Sequence, residues 1–226
     1  MITRADKSAI IVAAGSGRRM GGVSKPLIRI LGKTLFEYVF EAFLKSSVSE
    51  IIVVCSAENE DDLKRLADRR ETEKNIIFVR GGDARSDSVY NGVQAAHGKI
   101  ICVHDCARPF VTAEIIEEVL RKAEERGLSS ACTKVTDTIR LLGEKDSTPD
   151  REKLIAMQTP QAFKKSLYEE ARAKNGSKTF TDETSMLESI GIKTEYVFCE
   201  KNNMKLTTPD DIIIAEALMR NRGENR

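Results

Sequence analysis

The chain has no excess of charge of either sign: 36 Lys and Arg stand against 35 Asp and Glu in 226 residues, a formal net charge of +1. Nucleic-acid proteins usually carry a basic surplus, so no nucleic-acid partner is expected and any anion site must be a local cluster of cations. Long apolar runs are also missing. None approaches the roughly 20 residues that cross a bilayer, and the opening MITRADKSA has no signal-peptide pattern, so no membrane association is expected. Cys55, Cys102, Cys106, Cys132 and Cys199 form no C-x-x-C pair and are odd in number, which reads as reduced thiols in a cytoplasmic protein. Histidine is scarce. With only His97 and His104, a histidine-rich metal centre is excluded.

What the chain does have is alternation. Apolar runs at Ser8–Ala14, Glu50–Cys55, Asn75–Arg80 and Lys99–His104, and another from about Ser129, are separated by amphipathic segments. Thr34–Ser46, for example, sets Leu35, Phe36, Val39, Phe40, Phe43 and Leu44 at helical spacing. The strand runs do not alternate polar with apolar, as expected when helices cover both faces. The fold class is therefore α/β, a doubly wound, mostly parallel Rossmann-like sheet, in one domain over residues 1–226. Residues 134–158 break the pattern. Two β-like runs flank the turn-rich GEKDSTPD, which predicts a projecting hairpin. Such a hairpin has little core of its own, so it is expected to pack on a partner subunit as a homodimerisation arm.

Ligands of such sheets bind beyond the carboxyl ends of the strands, and four loops there carry chemistry. The first, Gly15-Ser16-Gly17-Arg18-Arg19-Met20-Gly21, is one residue too long for the dinucleotide motif G-x-G-x-x-G. The acid that would hold a ribose is misplaced too: Glu37 falls in a helix and Glu58 comes too late. An NAD(P)-dependent oxidoreductase is thereby disfavoured. A phosphate loop fails because Val23 stands where its lysine should be. Glycines that expose backbone N–H groups, an arginine at 18 or 19 and Lys25 suit a polyphosphate. A solvated basic loop is the plainer alternative.

The second loop, GGDARSDSVYNG (81–92), offers Asp83 and Ser86 as helix N-caps, yet capping alone does not require two glycines, Asp83, Arg85 and Ser88 together. The third, VHDCARPF (103–110), ends a strand with Asp105, a position suited to a Mg²⁺ carboxylate. His104 and Cys106 flank it and would point away from it. The fourth set is TFTDETS (179–185) with NNMKLTTPDD (202–211). Pro209 there is normal in a first helical turn, but Lys205 is unexplained.

Taken in order, A-A-G-x-G-x-R-M…K-P, G-G-x-x-R-x-x-S, H-D-x-A-R-P-F, D-T-I, T-P-Q-x-F, T-D-E and N-x-K-L-T-x-P-D-D resemble the methylerythritol phosphate cytidylyltransferase family. The related ribitol-5-phosphate cytidylyltransferases tend to differ at the positions of Ala14 and Ala107, and Cys106 stands where the family often has alanine. The resemblance implies CTP and methylerythritol phosphate as substrates, with Mg²⁺ held mainly by the CTP phosphates and by Asp105. Ala13, Ala14, Gly15 and Gly17, with Gly82, Asp83 and Ser88, would bind the CTP nucleoside. Arg19, rather than Arg18, and Lys25 would grip the triphosphate, and Lys205 would touch both reacting phosphates. Asp105, Arg108, Thr138, Arg151 and Thr159 would hold the sugar phosphate, with Arg151 and Thr159 acting across a dimer interface.

Overall fold

The structure is a computed structural model that describes residues 6–15, 24–143, 146–176, 178–199 and 203–223. Gly17, Arg18 and Arg19 lie outside the described residues. In chain order the elements are β1 (Lys7–Val12), β2 (Arg29–Ile30), β3 (Lys33–Thr34), α1 (Leu35–Leu44), β4 (Glu50–Cys55), α2 (Glu60–Ala67), β5 (Asn75–Arg80), α3 (Arg85–Ala95), β6 (Ile100–Asp105), α4 (Ala113–Arg126), β7 (Leu128–Lys134), β8 (Ile155–Lys164), α5 (Lys165–Asn175), α6 (Glu183–Glu188), β9 (Glu195–Phe198) and α7 (Pro209–Asn221).

Seven strands form one sheet in the order β5-β4-β1-β6-β8-β7-β9. All run the same way except β8, which pairs antiparallel with both β6 and β7. Side chains alternate across the sheet, and each set has its own helices. Ala9, Ile11, Ile51, Val53 and Cys102 meet Phe36, Val39, Phe40 and Phe43 of α1 and Ile116, Val119, Leu120 and Ala123 of α4. Ile10, Ile52, Val54, Ile101 and Val103 meet Val89 and Val93 of α3, Tyr168 and Ala171 of α5, and Leu187 of α6. Burial on both faces explains why the strands read as unbroken apolar runs.

One feature departs from the sequence expectation and a second has no counterpart in it. The first is β8. Its first residues, 155–158, belong to the main sheet rather than to the projecting arm. Pro160 stands inside it, and a proline argues against a central strand because it cannot donate to the ladder. The register resolves this: Ser130 faces Gln161 while Cys132 faces Met157, so residues 158–160 bulge out of the ladder and Pro160 is tolerated there. The second is the hairpin of β2 and β3, which turns through Leu31 at φ 48° and Gly32 at φ 86°. A two-residue turn with both residues at positive φ suits strand twist, but leucine rarely adopts that conformation and gives no turn signal. Beyond β7, residues 136–142 are exposed, and among the described residues the arm carries one isolated bridge, Leu141 to Ser147, rather than a ladder.

A third apolar cluster lies off the sheet. Ile30, Leu35, Tyr38, Phe110, Leu206, Ala215 and Met219 pack together and dock α7 with the segment before it. The Leu206 N–H donates to the Ala107 carbonyl at 2.8 Å, which fixes neighbouring Lys205 beside the end of β6.

Candidate active site

β1 and β6 are adjacent, while β4 and β5 lie to the far side of β1. The chain reverses its winding direction between β1 and β6, and such a switch point opens a crevice at the strand ends. A pocket of about 820 Å³ occupies it. After β1 come Ala13, Ala14 and Gly15; after β4, Glu58; after β5, Gly82, Asp83, Arg85 and Ser88; after β6, Asp105, Cys106 and Ala107. Lys25 and Lys205 complete the wall.

The β5–α3 turn needs its glycines for internal packing. A Cβ on Gly81 would come within 2.5 Å of the Ala14 Cβ, and one on Gly82 within 2.4 Å of the Asp87 Cβ. The Ser88 hydroxyl accepts the Gly82 N–H at 3.1 Å. Neither Asp83 nor Ser86 caps α3. The cap position is Ala84, whose N–H is accepted by Asp87 at 3.2 Å, so Asp83 stays exposed at the pocket.

Asp105 is the electrostatic centre. Arg85 Nε donates to its Oδ1 at 2.9 Å and Lys205 Nζ to its Oδ2 at 2.7 Å. Burial alone would raise this carboxyl, but the two cations hold it well below the ordinary carboxylate range. Arg85 also bonds both oxygens of Glu183, Nη1 to Oε1 at 2.8 Å and Nη2 to Oε2 at 3.1 Å. Burial works against the charge on Arg85, and the two carboxylates overturn that and keep it protonated. Burial pushes Glu183 up against the pull of Arg85. The result is a line of alternating charge, Glu183–Arg85–Asp105–Lys205. Lys25 Nζ donates to the Leu206 carbonyl at 3.0 Å, which joins the first loop to the Lys205 segment.

The β8 bulge holds Asp105 from behind. The Thr159 hydroxyl accepts the Asp105 N–H at 3.1 Å and bonds His104 Nδ1 at 3.1 Å. His104 Nε2 lies 3.0 Å from the Arg108 carbonyl. A carbonyl only accepts, so Nε2 carries the proton, Nδ1 accepts, and Thr159 donates to it. Burial pushes the His104 pKa down to about 4, so the ring is neutral and has both nitrogens engaged. Cys106 is buried with its thiol pKa pushed up by burial; such a thiol is inert as a nucleophile.

The family model for 2-C-methyl-D-erythritol 4-phosphate cytidylyltransferase matches residues 8–221. The chain belongs to that family. A curated 2-C-methyl-D-erythritol 4-phosphate cytidylyltransferase of Clostridium botulinum is 38% identical over 221 residues, 94% of this chain and 98% of the relative. The fold matches the crystal structure of a 4-diphosphocytidyl-2C-methyl-D-erythritol synthase from Anaerococcus prevotii, with a TM-score of 0.85 at 28% identity, covering 95% of this chain and 96% of that one. A 2-C-methyl-D-erythritol 4-phosphate cytidylyltransferase from Thermus thermophilus gives 0.78 at 28%, covering 95% and 99%.

Within this family member, the described residues expected from the motifs fall into three groups; Gly17 and Arg19 lie outside the described residues. Ala13, Ala14, Gly15, Lys25, Gly82, Asp83, Ser88, Asp105 and Lys205 meet at the pocket. Arg108 and Thr159 stand behind it: Arg108 Nη1 donates to the Asn203 carbonyl at 2.9 Å, and its buried Nε has no partner among the described residues. Thr138 and Arg151 are exposed on the arm, and Arg151 bonds the Thr136 carbonyl. Two residues gained importance from the structure alone. Arg85 and Glu183 lie within quoted motifs, but nothing in their spacing says that a residue near 85 and one near 183 share a bond.

Because the native pKa of Asp105 is depressed, its ion pairs stabilise fully above the ordinary aspartate value of about 4 and are lost as pH falls through the lower native value. Asp105→Asn is therefore expected to lower the urea midpoint at neutral pH, with the gap from the parent narrowing in acid below about pH 3. Urea melts of both proteins in the two conditions measure this; a gap that is constant or widens in acid would refute it.

Proposed function

We propose that this cleft transfers CMP from CTP to 2-C-methyl-D-erythritol 4-phosphate, giving 4-diphosphocytidyl-2-C-methyl-D-erythritol and pyrophosphate, a step of isoprenoid precursor synthesis. The observation that carries the reading is the convergence of Arg85 and Lys205 on one ionised carboxylate at the switch point, in a pocket that Lys25 also lines. The substrate phosphate oxygen attacks the α-phosphorus of CTP in line. One P–O bond forms as the bond to the β-phosphate bridging oxygen breaks, and pyrophosphate leaves. The nucleophile is already an anion, so no general base is required. Neutral, fully engaged His104 agrees with that.

The barrier is repulsion between polyanions and charge growing at phosphorus, and fixed cations address both. Lys25 and Arg19 hold the triphosphate. Lys205 lies between the α-phosphate and the incoming phosphate, and Asp105 keeps its ammonium in position. Ala13, Ala14, Gly15 and Gly17 with Gly82, Asp83 and Ser88 receive the nucleoside. The Nε of Arg108, without a partner among the described residues, suits a phosphosugar oxygen, and Thr159 serves that sugar by fixing the backbone of Asp105.

Magnesium fits this donor set. Each Asp105 oxygen accepts one charged bond and keeps a second lone pair, while Mg²⁺ favours one or two carboxylates plus phosphates over an all-protein cage. Among the described residues no three His, Cys, Asp or Glu side chains cluster as a metal site, so the CTP phosphates would be its main ligands. Bound there, the ion would neutralise phosphate charge.

The arm suits a homodimer. Ile139, Leu141 and Leu142 are exposed on it, Leu142 by 82%, and Thr138 and Arg151, exposed on the same arm, would serve a partner's sugar site. The chain acts as one nucleotidyltransferase domain, and a cytoplasmic location fits its five free thiols.

Pyrophosphate release with CTP, Mg²⁺ and either methylerythritol phosphate or ribitol phosphate tests the reading, with the first expected to be the substrate and a preference for ribitol phosphate counting against it. In the same assay Lys25→Ala should lose roughly 10²–10³ in turnover, as for removal of an oxyanion donor, with the melting temperature retained. Near-parent turnover would remove Lys25 from the mechanism. Arg151→Ala should raise KM for the phosphosugar and leave KM for CTP in place; an unchanged phosphosugar KM would dismiss its role.

A further inference from the structure

Asn59 is buried at 1% exposure and occupies the N-cap position of α2, where asparagine is among the preferred residues because its side chain can accept an N–H of the first turn. It makes no such bond. The first turn instead carries Glu60, Asp61 and Asp62, which complement the helix dipole. The Asn59 side chain turns away from its helix. Its Oδ1 accepts the Ser56 N–H at 2.9 Å, and its Nδ2 donates to the Ala13 carbonyl at 2.9 Å and to Ser24 Oγ at 3.0 Å. The amide orientation is fixed by its partners, because a backbone N–H must meet the oxygen and a backbone carbonyl must meet the nitrogen.

Those two acceptors belong to separate limbs of the pocket. Ala13 begins the Ala13–Gly15 wall after β1, and Ser24 immediately precedes Lys25 and Pro26, which also line the pocket. One NH₂ group therefore sets the spacing between the wall read as receiving the nucleoside and the lysine read as gripping the phosphates. We infer that Asn59 is a positioning residue for CTP: it touches no substrate, and it ties the Ala13 and Ser24 limbs so that both ends of the nucleotide are met at once. This rests on the function proposed above. A misplacement of such a frame weakens every contact made along the nucleotide and leaves the phosphosugar contacts, on Arg108 and the arm, in place.

The test is calorimetric titration of CTP into the full chain, with KM measured for both substrates. Asn59→Ala removes all three bonds and should weaken CTP binding roughly 10-fold, the scale of one or two net hydrogen bonds, with KM for methylerythritol phosphate unchanged. Asn59→Asp keeps the acceptor for Ser56 but sets a buried carboxylate oxygen against the Ala13 carbonyl, which cannot donate to it, so its loss should be at least that of Ala. Ser24→Ala removes one bond and should cost roughly threefold; it carries the test should Asn59→Ala fail to fold. Folded Asn59→Ala with parent CTP affinity, parent affinity in both Asp and Ser24 variants, or equal rises in both KM values would overturn the assignment. Absence of CTP binding by the parent chain would instead overturn the proposed function, and this inference with it.

Discussion

Asp105 carries a guanidinium on one oxygen and an ammonium on the other, and most of the cleft is arranged around keeping it there. A carboxylate this buried is unfavourable alone, and burying it is tolerable only when charge and hydrogen bonds are returned to it. The two cations come from segments far apart in the chain: Arg85 opens α3 and Lys205 precedes α7. Each needs its own support. Glu183 at the start of α6 fixes Arg85, and the cluster around Leu206 fixes the Lys205 segment. The ion pairs therefore bring three distant segments to the end of β6.

The same constraint explains the reversed strand. A strand end at a switch point exposes backbone as well as side chain, and the Asp105 N–H needs an acceptor. The β8 bulge supplies it through Thr159, and two of the bulge carbonyls accept bonds of their own. Asn203 donates to the Thr159 carbonyl at 2.9 Å, and Ser130 and Gln161 to that of Gln158 at 3.2 and 3.1 Å. Bulges re-aim side chains near active sites, and here one aims a hydroxyl at the carboxylate's own backbone. His104, which could be mistaken for a catalytic base, completes this support as a neutral ring between Thr159 and the Arg108 carbonyl.

Much of this was legible in the chain. The apolar runs at 50–55, 75–80 and 99–104 are strands within a residue of the expected bounds, because residues buried on both faces leave a plain signal. The loops after them hold the pocket residues, because strand ends of a parallel sheet all open to one side. Other features left little or no trace. Pro160 argued against the strand it occupies, since a bulge is a property of two paired strands. Leu31 at positive φ broke the usual turn chemistry, and Asp83 and Ser86 suggested caps where backbone and Asp87 do the work.

By itself the sequence determined the α/β class, the order of its elements, the loops that bear cations and carboxylates, and the cytidylyltransferase family, since periodicity and short motifs are local. Only the tertiary structure decided which charges neutralise one another. It joined Glu183 to Arg85, Asp105 to Lys205, and Asn59 to both Ala13 and Ser24. Those bonds span long stretches of chain, and the packing of helices on the sheet, rather than any local propensity, sets their geometry.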